Sequence, residues 1–436
     1  MNCARLRLVW VTGLGIACSP LVTAQGTSAD FRLSALERDG ALSWSNAFSI
    51  GVCSVQTAPA PGGPWSPQEN FFTTNSVGQA RVTLVSSNLF FRLLAVDIST
   101  NSPQHYTNLL YSYGRLETIA GKGQYSTDKQ NNWLPKYEGG PATNANLSRP
   151  HIAFADAADN ILLVDEGSSS VLKITPAGTI HTYAGNQIRG FNGDGPAPAT
   201  TLQLNYPNGG WLLEDGTLYV MDTYNGKIRR IATNGIMTTV FTTTAPITEG
   251  RGLWVKSDES VIYFAAGTKL KKWTPAGGVV TLPNTFRDLG NILGDEATGN
   301  LYITDRDAYR VYRMSSEGIL TTIAGNGAAS GGGDGFSALQ TGLNRPRAIW
   351  FLPNGGYFVS EHDGSRIWYV DPAGIIHLWL NGAAGNNHTG DGDWFHTSGF
   401  KVSKVRSVTT DRHGNLLIVE NDYGYVRRIN FRRMTP

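Results

Sequence analysis

The chain has 436 residues, 41% of them hydrophobic and only 16% charged, with a formal net charge of +2. That balance suits a folded globular protein and offers no bulk attraction for nucleic acid or an anionic membrane surface. The 51 glycines point to turn-dense β architecture.

Residues 1–24 read as a secretory signal peptide. Arg5 and Arg7 supply the basic region, an apolar run covers 8–18, and Val22-Thr23-Ala24 forms a small-residue cleavage site before Gln25. The run is too short to span a bilayer. Lipidation at Cys18 is the weaker alternative, since Gly15 stands where a larger aliphatic residue is usual. Cleavage before Gln25 would leave Cys53 as the sole cysteine, which excludes an intramolecular disulfide and puts the stability in the core. The expected location is secreted, periplasmic or cell-surface, with no membrane span.

Residues 29–99 hold six strand-like runs: FRLSAL, GALSWSN, GVCSVQTA, NFFTT, ARVTLVS and LFFRLLAVDI. Turn signals between them, spaced by about ten residues, predict a small β-sandwich with Trp44 and Trp65 as core aromatics. The unit resembles fibronectin type III-like modules of secreted bacterial proteins and carries no motif for chemistry. Residues 100–113 form a linker expected to pack on the next domain through its tyrosines.

From 114 to 436 one pattern recurs. A short apolar run follows Pro or Gly, a polar turn comes next, and a second run ends in an acidic residue. The copies begin at His151, Asn208, Arg251, Gly290, Arg347 and Arg406, and their second runs end at Asp165, Asp222, Ala265, Asp305, Glu361 and Glu420. Fourteen positions separate the two points in five copies; the fourth has one extra turn residue. Third runs (KIRRI, RVYRM, YVRRI) and fourth runs (TIHTYAG, ILTTIAG) complete four antiparallel strands per copy. Runs this short are strands, and radial repetition of such units predicts an all-β, six-bladed β-propeller. The last copy lacks a fourth run, and RLETIAG at 115–121 matches the missing one. That segment is therefore expected to close the last blade and protect its edge.

The copies resemble NHL repeats. The carriers are DGTLYVMD at 215–222, GNLYITD at 299–305 and IRR at 228–230. The glycine-rich junctions at 184–207 and 324–346, and a worn version at 121–150, resemble the Gly-Asp-Gly loops of bacterial secreted NHL proteins and teneurins. The resemblance implies a fold and leaves function open, since this repeat serves protein binding, RNA binding and catalysis in different relatives. Asp194, Asp334 and Asp391 in these loops suggest calcium, but one carboxylate per loop falls short of its six to eight oxygens. A turn-shaping role is expected.

If the first two runs of each copy form a hairpin, their first and fifteenth residues meet at the channel rim. His151 would then face Asp165, Asn208 Asp222, Gly290 Asp305, Arg347 Glu361, and Arg406 Glu420, and the rim would be a structural salt-bridge ring with Arg347 and Arg406 each held by its own cross-strand Glu. Arg251 faces Ala265 and so either reaches Asp305 of the next blade or offers its guanidinium to a ligand. The candidate ligand-binding residues are Arg251, His151, Asn208, Arg347, Arg406 and Asp305. No catalytic set, metal set or cofactor is expected. Six-bladed hydrolases of the gluconolactonase type use a Glu, Asn and Asp, of which only Asn208 matches, and NHL lyases use several Pro-His starts, of which only Pro150-His151 matches. The expected function is an exported binding protein for a protein, glycan or small anionic ligand, not nucleic acid. The alternative is a degenerate metal-dependent hydrolase or lyase.

Overall fold

Short runs of β-branched and aromatic residues, cut by Asp-Gly, Gly-Asn and Pro-Ala-Gly turns, satisfy their backbone groups by pairing laterally. A computed structural model describes residues 7–12, 15–17, 32–37, 39–45, 47–81, 90–127, 130–247, 249–383 and 385–432. Six antiparallel sheets account for most of the chain, five of four strands and one, the second, carrying the two-residue strand Ala197–Pro198 as a fifth. Their innermost strands are Pro150–Ala155, Pro207–Leu212, Leu253–Val255, Leu289–Asp295, Pro346–Phe351 and Val405–Thr410, and each touches the next until the sixth returns to the first. The sheets are blades one to six of a propeller. Leu116–Ala120 pairs with Tyr425–Ile429 as the outermost strand of blade six, so the last blade joins chain from both ends of the domain. In blade four the extra residue lies in the turn between Gly294 and Leu301, one residue longer than the turn between Ala155 and Ile161.

The N-terminal unit is a β-sandwich. One sheet orders Gly15–Ala17, Arg7–Thr12, Phe90–Asp97, Gly51–Ala58 and Ser66–Thr73; the other orders Arg32–Leu36, Ala41–Ser45 and Gly78–Arg81. The rest of the expected signal peptide (1–6, 13–14 and 18–24) lies outside the described residues. Between the sheets, Trp44 packs with Leu42, Cys53, Val55 and Leu93. Trp65 does not join them. It is half-buried under the Arg92 guanidinium, 4.5 Å from its ring centre.

Gly51–Ala58 is buried at every position because its sheet is covered on both faces. On the second face Val52, Leu94 and Val96 meet Leu109, Tyr113, Phe358, Trp379 and Phe431 in one cluster. The segment between the domains carries a short helix, His105–Tyr111. Its tyrosines pack as the sequence suggested: Tyr113 is fully buried against Trp379 and Phe431, and Tyr106 stacks on His377.

The junction loops are tied down by their carboxylates. Asp194 accepts a hydrogen bond from the Thr239 hydroxyl, Asp334 from the Leu378 amide and Asp391 from the Thr118 hydroxyl, in each case on the outermost strand of the following blade. In the worn loop Glu138 does the same for the Thr182 amide. These acids close blades.

Candidate functional site

The inner strand of a blade does not run straight into the rim. In five blades the register slips by one residue at its start, so the acid ending the second strand lies opposite the residue before the rim position: Pro150 with Asp165, Pro207 with Asp222, Leu289 with Asp305, Pro346 with Glu361 and Val405 with Glu420. A bulge of this kind re-aims a side chain. The expected cross-strand salt bridges are therefore absent.

The five acids are buried and serve another purpose. Asp165 accepts the Ser148 amide, Asp222 that of Asn205, Asp305 those of Arg287 and Asp288, Glu361 that of Asn344, and Glu420 that of Ser403, all at 2.7–3.0 Å. Each such amide belongs to the loop that delivers the same blade's rim residue. Arginines from neighbouring strands compensate three of them: Arg229 for Asp222, Arg366 for Glu361 and Arg427 for Glu420, at 2.7–3.1 Å. Burial raises Asp222 to about 6, while Asp165, which has no such arginine, is raised to about 7. Asp305 belongs to this ring, not to the channel.

Around the axis, Arg251, Arg347, Arg406, His151, Asn208 and Asn291 line a cavity of about 20 Å³. Five of the six residues singled out from sequence thus converge. A void of that size holds roughly one water-sized atom. Further along the inner strands, Trp211 packs with Phe154, Trp254 and Trp350, ring centres 6.0–6.4 Å apart.

Arg251 is not the unpaired arginine. Asp288, supplied by the loop entering blade four, accepts its Nη1 at 2.6 Å and also pairs with Arg306. The unpaired group is Arg347, 6% exposed, whose Nε and Nη1 find no hydrogen-bond partner among the described residues. Burial, then Arg406, Arg251 and Arg306, weigh against its charge. A guanidinium keeps its proton regardless, so the cost remains as destabilisation unless an anion relieves it. Arg406 is almost as deep and reaches only His151 and, at 3.4 Å, Asn208 Oδ1.

His151 sits between two acceptors and a donor. Its Nε2 lies 3.1 Å from Glu166 and its Nδ1 3.1 Å from the Asn208 carbonyl, both of which can only accept, while Arg406 Nη2, which can only donate, is 3.0–3.2 Å from both ring nitrogens; a neutral ring donates to one acceptor and leaves the other unmet. Burial and Arg406 push its pKa down to about 3, so it stays neutral. Glu166 stays ionised: burial opposes the charge, but His151, Arg406 and Arg149 outweigh it. Outward the mouth widens into exposed pairs, Arg345 with Asp307 and Asp363, and Lys404 with Asp363. Glu166 and Arg306 each follow directly the acid that ends a second strand, and that sequence position marks them.

A larger cleft of about 650 Å³ lies between the sandwich and blades one and six. Most of its charged groups have partners: His413 bonds Glu69 at 2.8 Å and Asp159 at 3.1 Å, Arg412 beside it pairs with Asp159, and Arg428 pairs with Glu117. Volume favours that cleft. Unmet charge favours the channel.

The fold and the site define a six-bladed β-propeller with a basic channel. No family model matches the chain, and no curated protein matches it. Its fold is similar to that of a Bacteroides thetaiotaomicron protein of unknown function, at 12% identity and TM-score 0.58, covering 92% of this chain and 97% of that one. Two structures described as auxiliary nutrient binding proteins, from Bacteroides thetaiotaomicron and Bacteroides ovatus, each align with TM-score 0.54 at 12% and 13% identity. They cover 92% and 89% of this chain, and 97% and 93% of their own. These are likenesses of fold.

Proposed function

We propose that this is an exported binding protein of the NHL-repeat type whose channel mouth takes the anionic group of a small molecule or glycan. The observation that carries the reading is Arg347, a buried cation with no counter-charge of its own. A charge removed from water without a partner is costly, and a bound carboxylate or phosphate oxygen removes that cost. Arg406 lies beside it, and Asn208 offers its amide. The cavity is small, so only the anionic tip enters, with the remainder of the ligand among the exposed ion pairs of the mouth. Similarly folded nutrient-binding proteins agree with a binding role, and the leader expected from the sequence at 1–24 would agree with a site of action outside the cytoplasm.

A metal-dependent hydrolase or lyase fits less well. The cavity offers a metal one imidazole, already engaged by Glu166 and Arg406, and surrounds it with three guanidinium groups that would repel a cation.

Calorimetric titration with acetate, phosphate and glucuronate, with glucose as the neutral control, tests the proposal. Binding of an anion that Arg347→Met weakens about tenfold or more is expected. Absence of binding, or equal binding by the variant, would refute it.

A further inference from the structure

Where the inter-domain helix meets blade five, three side chains from distant parts of the chain meet. His105 opens the helix, Asp371 sits in the turn after Arg366–Val370, and His377 lies on the outermost strand Ile376–Leu380. Their ligand atoms all lie within 4.8 Å of one another. One oxygen, Asp371 Oδ2, is 3.0 Å from His105 Nε2 and 3.3 Å from His377 Nε2. In a tetrahedral zinc site with bonds of about 2.0–2.1 Å, neighbouring ligand atoms are about 3.3 Å apart. One of the three edges has that length, a second is 0.3 Å shorter, and the third, between the two imidazoles, is no longer than 4.8 Å.

Proton accounting points the same way. His105 Nδ1 is 2.9 Å from the Ser102 carbonyl, an acceptor, so its one proton in the neutral ring belongs there. Nε2 then turns a lone pair toward a carboxylate oxygen at 3.0 Å, lone pair against lone pair. A divalent cation between them turns that opposition into two bonds. The outer contacts are those a metal site needs. Asp371 Oδ1 is occupied by the Ala373 and Ile375 amides at 2.9 Å, which leaves Oδ2 to point inward. The His377 ring is held by Tyr106 stacked at 3.8 Å, and its Nδ1 faces Asp334 at 3.8 Å. Asp371 is buried, while the His105 side chain keeps 20% and that of His377 15% of their exposure, enough for an ion to enter with a water as fourth ligand.

We infer that His105, Asp371 and His377 form a zinc-type site that staples the inter-domain helix to blade five. Two imidazoles and one carboxylate suit zinc or a neighbouring transition ion better than calcium or magnesium. The site is peripheral and separate from the channel, so it stands or falls independently of anion binding.

The experiment is zinc titration of the purified, chelator-treated full chain by calorimetry, with melting temperature followed in parallel. One zinc ion per chain should bind, the melting temperature should rise with zinc concentration, and zinc should slow proteolysis between 98 and 113. His105→Ala and His377→Gln, the latter keeping a side chain beneath Tyr106, should each weaken binding at least about tenfold and abolish the zinc-dependent rise. Circular dichroism establishes that both variants fold. Failure of the wild-type chain to bind zinc, or binding that neither variant weakens, would overturn the assignment.

Discussion

Two rings of side chains surround the channel entrance, and they are held in opposite ways. The acids that end the second strands, Asp165, Asp222, Asp305, Glu361 and Glu420, do the same task in five blades and have their hydrogen bonds met by backbone amides. The residues that begin the inner strands differ from blade to blade: His151, Asn208, Arg251, Gly290, Arg347 and Arg406. Their charges are met unevenly: Arg251 has a carboxylate partner in Asp288, though its Nε finds no acceptor among the described residues, and Arg347 has no carboxylate partner there. Within one chain, repetition marks scaffold and departure from it marks the site. A buried polar group that nothing satisfies is costly enough to need a reason.

The comparison breaks most visibly if an acid of the scaffold ring proves dispensable. Glu420→Ala should cost about 3–5 kcal/mol, because it frees the Ser403 amide, empties a fully buried position and leaves the buried Arg427 with Asp391 as its one remaining carboxylate. Denaturant or thermal unfolding measures this, and a cost under about 1 kcal/mol would show the ring to be decoration.

Next comes the pH response of Asp165, one of the two scaffold acids, with Asp305, that no arginine pairs among the described residues. Its pKa is raised by burial to about 7, so the folded state binds a proton that the unfolded state, near 4, has released. Stability from this group is complete below about pH 4 and falls as pH rises to about 7, by up to about 4 kcal/mol at 1.36 kcal/mol per unit. Asp165→Asn should flatten that part of the stability profile. An unchanged slope would place the titration elsewhere.

In the other ring the sign reverses. Arg347→Met, similar in length and uncharged, should leave stability unchanged or raise it by about 1–4 kcal/mol in buffer without a bindable anion, since it deletes a buried charge that has no partner. A large loss would mean that Arg347 is a structural member after all. The smallest effect belongs to the outer mouth, where Arg345→Ala removes pairs that are 28–41% exposed and should change stability by about 1 kcal/mol or less.

The sequence carried the architecture because each repeat states it again. Six hairpins with period-two patterning, a missing last strand and a matching orphan at 115–121 leave few other closures. It carried the identity of five cavity residues for the same reason. It misdirected the pairing, because a one-residue bulge at Pro150, Pro207, Pro346 and Val405 leaves no trace in alternating hydrophobicity yet turns every rim side chain off its expected neighbour. The true partner of Arg251, Asp288, comes from the loop ahead of blade four, outside the positions the repeat defines. The helix histidine His105 and Asp371 stand 266 residues apart, a contact that no local pattern encodes. Trp65 was misplaced because an aromatic near a turn serves equally well as a platform for Arg92.

The claim that joins these findings is that the channel centre is an anion site. Bromide is a heavy monoatomic anion close in size to the cavity, and its anomalous scattering locates it without ambiguity. A crystal of the protein grown in bromide should show one anomalous peak within hydrogen-bonding distance of Arg347, and a crystal of Arg347→Met should show none there. A wild-type cavity that holds only water while bromide occupies other surfaces would contradict the account.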